Sequence, residues 1–270
     1  MTKTMNILDE IVLHKQREVA ERKQQRPLSQ LEDSPYFKRE PYSLRHFLVR
    51  ADKTGIIAEF KRKSPSRGVI NGSASVAQVV AGYTAAGASA ISVLSDHTFF
   101  GGSTEDVMMA RLATNCPILR KDFVIDEYQV VEAKSMGADV ILLIAAILTP
   151  AQATQLAQVA HGLGMEVLLE VHNEEELQLH QHIGADVIGV NNRNLKTFEV
   201  DVATSLRLAQ LIPQEIIKVS ESGLSEPETV VKLRSAGYRG FLMGENFMKH
   251  AHPEQAAQAF MDALRKLSKK

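Results

Sequence analysis

Residues 135–143 read SMGADVILL and residues 182–190 read HIGADVIGV, and the same plan returns as AAGASAISV at 85–93 and SAGYRGFLM at 235–243. In each phrase a glycine, at 87, 137, 184 or 237, ends a helical pattern, and an apolar strand begins almost at once. Glycine at that point supplies the left-handed cap that lets the chain turn back sharply. The four joints lie about fifty residues apart, and further strands stand between them. Working outward, the strands are GIIAEF (55–60), SAISVL (89–94), PILRK (117–121), ADVILLI (138–144), MEVLLE (165–170), ADVIGV (185–190), EIIKVS (215–220) and GFLM (240–243). Most are nearly continuous in apolar residues, the pattern of parallel strands covered on both faces. Eight such units predict an α/β chain folded as a (β/α)8 TIM barrel, with an open eight-stranded sheet as the alternative.

Helix starts between the strands are well marked. Thr149-Pro150 offers an N-cap and a proline in the first turn, Asn173 precedes three glutamates, and Ser225-Glu226-Pro227-Glu228 has capping-box spacing. Ahead of the barrel, residues 5–25 place Ile7, Leu8, Ile11, Val12 and Val19 near one face of a helix. PLSQLEDSPYFKREPYS then breaks that pattern with Pro27, Pro35 and Pro41, and the β/α rhythm takes over after residue 54. The expected division is an N-terminal helical extension over 1–50 and a barrel over 51–270.

The 270 residues are 44% hydrophobic, enough for one large core. A net charge of −1 and a pI near 6.8 give no overall field that favours nucleic acid or an anionic membrane. Cys116 is the only cysteine, which excludes an internal disulfide framework and suits a reducing compartment. MTKTMNILDEIVLHKQREVAERK lacks the apolar centre of a signal peptide, and Asp9, Glu10 and Glu18 argue against a transit peptide. The longest apolar run, Val140 to Leu148, is too short to span a bilayer as a helix. The expectation is a cytoplasmic protein, a monomer or at most a weak homodimer, with neither a nucleic-acid nor a membrane partner.

In a β/α barrel the functional residues lie at the C-terminal ends of the strands and in the loops that follow. Strand one ends EFKRKSPS, where Glu59 and Lys61, two apart, share a face at the mouth and Ser64, Ser66 and Arg67 follow. Strand three ends in Lys121-Asp122 with Phe123 next, strand five in Glu170, and strand six in Asn191-Asn192-Arg193. Strand seven ends in Ser220-Glu221-Ser222-Gly223 and strand eight in Met243-Gly244-Glu245. For any one of these residues a structural salt-bridge network is an equal alternative, but a whole rim of them points to function. Backbone N–H groups after strands seven and eight form a phosphate site in many barrels, so the substrate expected is a small phosphorylated molecule.

Other candidates carry less. FFGGST (99–104) suits a lid or an anion nest, although Ser103 also makes an ordinary helix cap. His180 and His182 are two apart in a helical stretch and face different ways, which argues against metal ligation. His97 and His172 lie just after strand ends, where they could touch substrate, although an isolated histidine is more often expected on the surface. No zinc, P-loop or dinucleotide pattern occurs, and GLGME (162–166) follows a helix rather than a strand. Neither metal nor organic cofactor is expected.

These residues stand in segments that resemble the indole-3-glycerol-phosphate synthase family, in order and nearly end to end. ILDEIVLHKQREVAERK is similar to the family's N-terminal helix, and IAEFKRKSPSRG resembles the long signature around its first strand. VLSDHTFFGGS, PILRKDFVIDEYQV, LLEVH, IGVNNRNLKTFEVD and SESGL resemble the family segments that follow. The resemblance implies a carboxy-lyase of tryptophan biosynthesis. It converts 1-(2-carboxyphenylamino)-1-deoxyribulose 5-phosphate to indole-3-glycerol phosphate, carbon dioxide and water. It also implies that the N-terminal extension packs across the barrel mouth and helps bind substrate. With one barrel in the chain, only the synthase activity is implied, without the isomerase fused to it in some bacteria.

The same resemblance implies roles residue by residue. Lys121 matches the general acid that protonates the substrate ketone, and Glu170 the glutamate that handles protons in dehydration. Glu59 matches a second carboxylate that orders the charge network or acts as base. Lys61 matches a lysine that contacts the substrate carboxylate or phosphate, and the division of acid catalysis between Lys61 and Lys121 stays open. Asn191 and Arg193 match positioning residues and Ser222 a contact near the anthranilate ring, while Ser64 and Glu221 fall among the substrate-binding positions. Phe123 would pack on the aromatic ring, and Ser66 and Arg67 would close over it. Gly223, Gly244 and Glu245 fall at the phosphate loops; many members carry serine where this chain has Glu245, so only its backbone N–H carries over. Two rival functions remain: a Schiff-base aldolase using Lys61 or Lys121 as nucleophile, and a non-catalytic phosphate-binding barrel.

Overall fold

A computed structural model describes residues 7–195 and 197–268. Eight parallel strands close into a barrel: β1 (Ile56–Phe60), β2 (Ala90–Leu94), β3 (Ile118–Lys121), β4 (Val140–Ile144), β5 (Glu166–Val171), β6 (Val187–Asn191), β7 (Ile217–Glu221) and β8 (Tyr238–Met243). Each pairs with its sequence neighbours, and β8 closes onto β1 with Ile56 opposite Phe241 and Ile57 opposite Leu242. Closure excludes the open sheet. The barrel helices are α1 (Val76–Ala86), α2 (Thr104–Ala113), α3 (Glu127–Ser135), α4 (Pro150–Gly162), α5 (Glu174–His180), α6 (Ala203–Leu208), α7 (Pro227–Ser235) and α8 (Pro253–Leu267).

The near-continuous apolar strands now have a cause. In β1, Ile56, Ala58 and Phe60 pack outward among the helices, while Ile57 points into the lumen. Leu119, Leu142, Leu168, Val219 and Leu242 join Ile57 there and fill the barrel with side chains. Each such fully buried aliphatic contributes roughly 1.5–3 kcal/mol relative to exposure. The glycines of the four repeated joints all take left-handed backbone, with φ of 98° at Gly87, 85° at Gly137, 83° at Gly184 and 96° at Gly237.

Capping follows the sequence at three helices and departs from it at a fourth. Thr149 forms a capping box with Gln152 around Pro150, and the Ser103 and Asn173 side chains cap α2 and α5. The box expected from Ser225 and Glu228 does not form. Pro227 occupies the first turn, which makes Glu226 the N-cap with no side-chain cap bond and leaves Ser225 one residue outside. The N-terminal helix Ile7–Gln25 buries Ile11 and Val19, and the helix Leu44–Val49 sends Leu44 and Leu48 into the lumen cluster. Among the described residues no helix is long and apolar enough to cross a membrane.

Candidate active site

The C-terminal rim of the barrel opens on a cavity of about 410 Å³. Every site residue predicted from the sequence lines it, Ser66 and Arg67 included. Alternation along the strands explains the convergence, since the residues that end each strand facing the lumen are those with nothing stacked above them. Glu59 from β1 receives the Lys61 ammonium at 2.8 Å and the Ser92 hydroxyl at 3.2 Å. Across the mouth, Lys121 Nζ lies 2.8 Å from Glu170 Oε2 and 3.5 Å from Glu221 Oε2. Asn191 donates to the other Glu170 oxygen at 3.1 Å, and its own oxygen accepts from the Ser222 hydroxyl at 2.9 Å.

Three carboxylates and two ammonium groups in so dry a space cannot all keep ordinary pKa values. Burial alone would lower that of Lys121, but Glu170, Glu221 and Glu59 outweigh it and hold the ammonium protonated well above the usual lysine range. Burial would raise Glu170, yet the Lys121 charge and the nearby His172 hold it well below the usual carboxylate range. Glu221 goes the other way. Burial, with the charges of Glu170 and Glu59 added, overrides the pull of Lys121 and pushes it up to about 8. The mouth thus holds a resting ammonium, a resting carboxylate and a carboxyl group that keeps its proton to higher pH within a few ångströms, a set suited to proton transfers in both directions.

One side of the cavity is apolar. Phe123 and Phe100 pack with ring centroids 5.9 Å apart, beside Leu142, Ile144 and the N-terminal helix residues Leu8 and Ile11. The opposite side carries the two glycine loops. Ser222 and Gly223 both take positive φ, 67° and 73°, and Gly244 precedes the single-turn helix Glu245–Met248. The Glu245 carboxylate lies 3.1 Å from Arg67 Nε and 3.9 Å from Arg193 Nη2, so two guanidinium groups flank this end. Gly244 also has a packing reason: a Cβ there would come within 2.6 Å of Glu59 Oε1.

A model of the indole-3-glycerol phosphate synthase family matches residues 8–260. The chain belongs to that family. It is 49% identical over 259 residues to the indole-3-glycerol phosphate synthase of Bacteroides thetaiotaomicron, covering 96% of this chain and 99% of the relative. The indole-3-glycerol phosphate synthase of Salinibacter ruber is 44% identical over 254 residues, covering 93% and 94%. A solved structure described as native KDPGal superposes with a TM-score of 0.57 at 17% identity, over 79% of this chain and 94% of the other, a likeness of fold alone. Indole-3-glycerol phosphate synthases are carboxy-lyases of tryptophan biosynthesis that act on a phosphorylated small molecule.

Within this member of the synthase family several contributors escape a reading by strand ends. Lys15 shares the buried face of the N-terminal helix with Ile11 and Val19, is fully buried, and meets Asp96 at 2.9 Å and Asp122 at 3.0 Å. The spacing 11–15–19 was the available signal. Asp96 also accepts the backbone N–H groups of Phe99 and Phe100, so the nest read in FFGGST is filled by the chain's own carboxylate. Arg120 points outward from β3 and, fully buried, joins Asp122 at 3.1 Å to Glu132 at 2.7 Å. A Cβ on Gly189 of β6 would come within 2.4 Å of Glu221 Oε1, so glycine makes the room for that acid. Of the histidines, His97 is exposed and His180 is buried with both ring nitrogens near backbone carbonyls. His172 corrects its expectation. Its side chain is only 9% exposed and lies against Glu170, because Val171 turns outward and brings residue 172 back toward the mouth.

Proposed function

We propose that this mouth closes the indole ring on 1-(2-carboxyphenylamino)-1-deoxyribulose 5-phosphate with Lys121 as general acid and Glu170 as the proton-handling carboxylate. The observation that carries the reading is the Lys121 ammonium seated between Glu170 and Glu221 at the end of β3. The aromatic carbon that bears the carboxylate attacks the ketone, and Lys121 protonates the ketone oxygen as charge develops there. Carbon dioxide then leaves and restores the ring. Glu170 moves the protons of the last step, in which the new hydroxyl departs as water.

The remaining residues bind and orient. Phe123 and its apolar neighbours take the anthranilate ring, with Ser64, Ser66, Ser222 and the N-terminal helix around it. Asn191 holds Glu170 in place, and Glu59 anchors Lys61 for the substrate carboxylate or phosphate. Gly223, Gly244, the backbone N–H of Glu245 and the Arg193 and Arg67 guanidinium groups form the phosphate end. Among the described residues no group of three or more His, Cys, Asp and Glu side chains is placed to hold a metal ion, and the proton transfers assigned to Lys121 and Glu170 use none. The proposed working form is a cytoplasmic monomer, since one chain supplies every group named. Sedimentation at assay concentration is expected to give the mass of one chain.

A Schiff-base aldolase needs a neutral lysine amine, whereas the acidic groups around Lys121, Glu170 foremost, hold it protonated, which favours the acid role. Lys121→Ala and Glu170→Gln are each expected to lower kcat at least about a hundredfold, with KM changed far less. Either variant within a few-fold of wild type removes that residue from the mechanism. A borohydride-trapped adduct with substrate would favour the aldolase.

A further inference from the structure

His172 lies behind Glu170, outside the cavity lining, and its two ring nitrogens face two carboxylates. Nδ1 is 3.0 Å from Glu176 Oε2, and the His172 backbone N–H donates to that same oxygen at 2.8 Å. Glu176 is held rigidly at the start of α5: its N–H donates to Asn173 Oδ1 at 2.9 Å and its Oε1 accepts from Asn173 Nδ2 at 2.9 Å. Nε2 is buried, without a hydrogen-bond partner, and faces Glu170 Oε1 at 3.3 Å. A small tilt of the ring closes that gap, as happens when apo sites tighten around substrate.

The chemistry gives this arrangement a task. Protonating the ketone oxygen and then the departing hydroxyl takes two protons, and forming the new ring double bond returns one. With the substrate carboxylate leaving as carbon dioxide, each turnover consumes one proton from solvent while substrate fills the mouth. We propose that His172 is a positioning residue for this reaction, an imidazolium clamped between Glu176 and Glu170 that stores this proton and passes it from Nε2 to Glu170. The neutral imidazole left behind keeps its Nδ1 proton on Glu176, and Nε2 is recharged from solvent once product has left. The inference rests on the acid–base role given to Glu170.

The groups around the ring agree with a stored cation. Glu170 faces it from β5 and Glu176 from α5, with Lys121 of β3 and Glu221 of β7, whose carboxyl keeps its proton up to about 8, standing beyond Glu170, while the turn Ala145–Ile147 after β4 brings no charge. Burial alone would lower the His172 pKa, but the Glu170 carboxylate facing Nε2 and the Glu176 carboxylate bonded to Nδ1 push it up to about 9. The reserve is therefore present below that pH and lost as pH rises through it.

The test compares wild type with His172→Asn and His172→Gln, with thermal melts to check folding. It measures kcat and KM against pH, and single-turnover indole formation in weak buffer with a pH dye. Wild type should form indole before it takes up its solvent proton. Both variants should take up the proton in step with indole, with kcat down about tenfold and KM within a few-fold, less than the loss of a direct acid–base group. The gap should close above about pH 9, where wild type loses its reserve. Variants within about twofold of wild type at every pH, or a uniform loss with unchanged proton timing, would overturn the proposal. Glu170→Gln separates the two levels: if it is active, the acid–base reading falls, and if it is inactive while the His172 variants behave as wild type, only the reserve falls.

Discussion

Glu221 is the residue whose environment departs furthest from what its sequence neighbours announce. It ends β7 pointing into the lumen, 2% exposed, with Oε1 lacking a partner. Its folded pKa, pushed up to about 8 from 4.5, means that the folded protein binds one proton more than the unfolded chain between those values. The stability Glu221 contributes is therefore complete below about pH 4.5 and lost as pH rises through about 8. Glu221→Gln, which keeps the shape without the charge, should raise the melting temperature relative to wild type by a margin that widens from pH 5 toward pH 8. A margin constant with pH would mean that Glu221 is ionised in the folded state. The sequence marks Glu59, Lys121, Glu170 and Glu221 as lumen-facing through alternation alone. It does not mark which of them keeps its proton to higher pH, because that depends on four strands meeting and on the space left by Gly189.

At the scale of elements, the N-terminal helix is staked to the mouth by one buried cation. Lys15 stands between Asp96 and Asp122, and both carboxylates are fully buried at their side chains. Burial would raise the Asp122 pKa, but Lys15 and Arg120 hold it well below the usual range. Removing Lys15 leaves two buried carboxylates short of a countercharge, which costs about 3–5 kcal/mol. Lys15→Met should lose that much in denaturant unfolding, and adding Asp96→Asn should restore part of it. Equal stability of wild type and Lys15→Met would show that the apolar contacts and the Arg22–Glu132 and Lys23–Asp126 pairs hold the helix without Lys15. The apolar residues of this helix, Ile11 and Val19, are legible from periodicity, whereas the lysine between them has only its 11–15–19 spacing to mark it as buried until its partners on the loops after β2 and β3 are known. Ser225 illustrates the opposite limit: its spacing fits a cap, and the proline two residues on moves the helix start past it.

For the whole molecule, closure of the barrel is what turns scattered residues into a site. Glu59, Lys121, Glu170, Asn191, Glu221 and Gly244 come from six strand ends, from residue 59 to residue 244 of the sequence, and meet around one cavity. The four glycine joints made the closed topology legible, and the rim followed from it. Pair geometry and charge states did not follow, because they arise only after closure. Since protein side chains supply all the acids and bases named, exhaustive dialysis against a chelator should leave turnover unchanged. A loss restored by one divalent ion would require a different electrophile. The decisive experiment is a single-turnover reaction of wild type, Lys121→Ala and Glu170→Gln with 1-(2-carboxyphenylamino)-1-deoxyribulose 5-phosphate, following carbon dioxide and indole fluorescence together. Wild type should yield one of each. Lys121→Ala should stall before carbon dioxide is released, and Glu170→Gln should release it ahead of a slow rise in fluorescence. Carbon dioxide and indole released at wild-type rates by Lys121→Ala would contradict the assignment of that ammonium as the acid of ring closure.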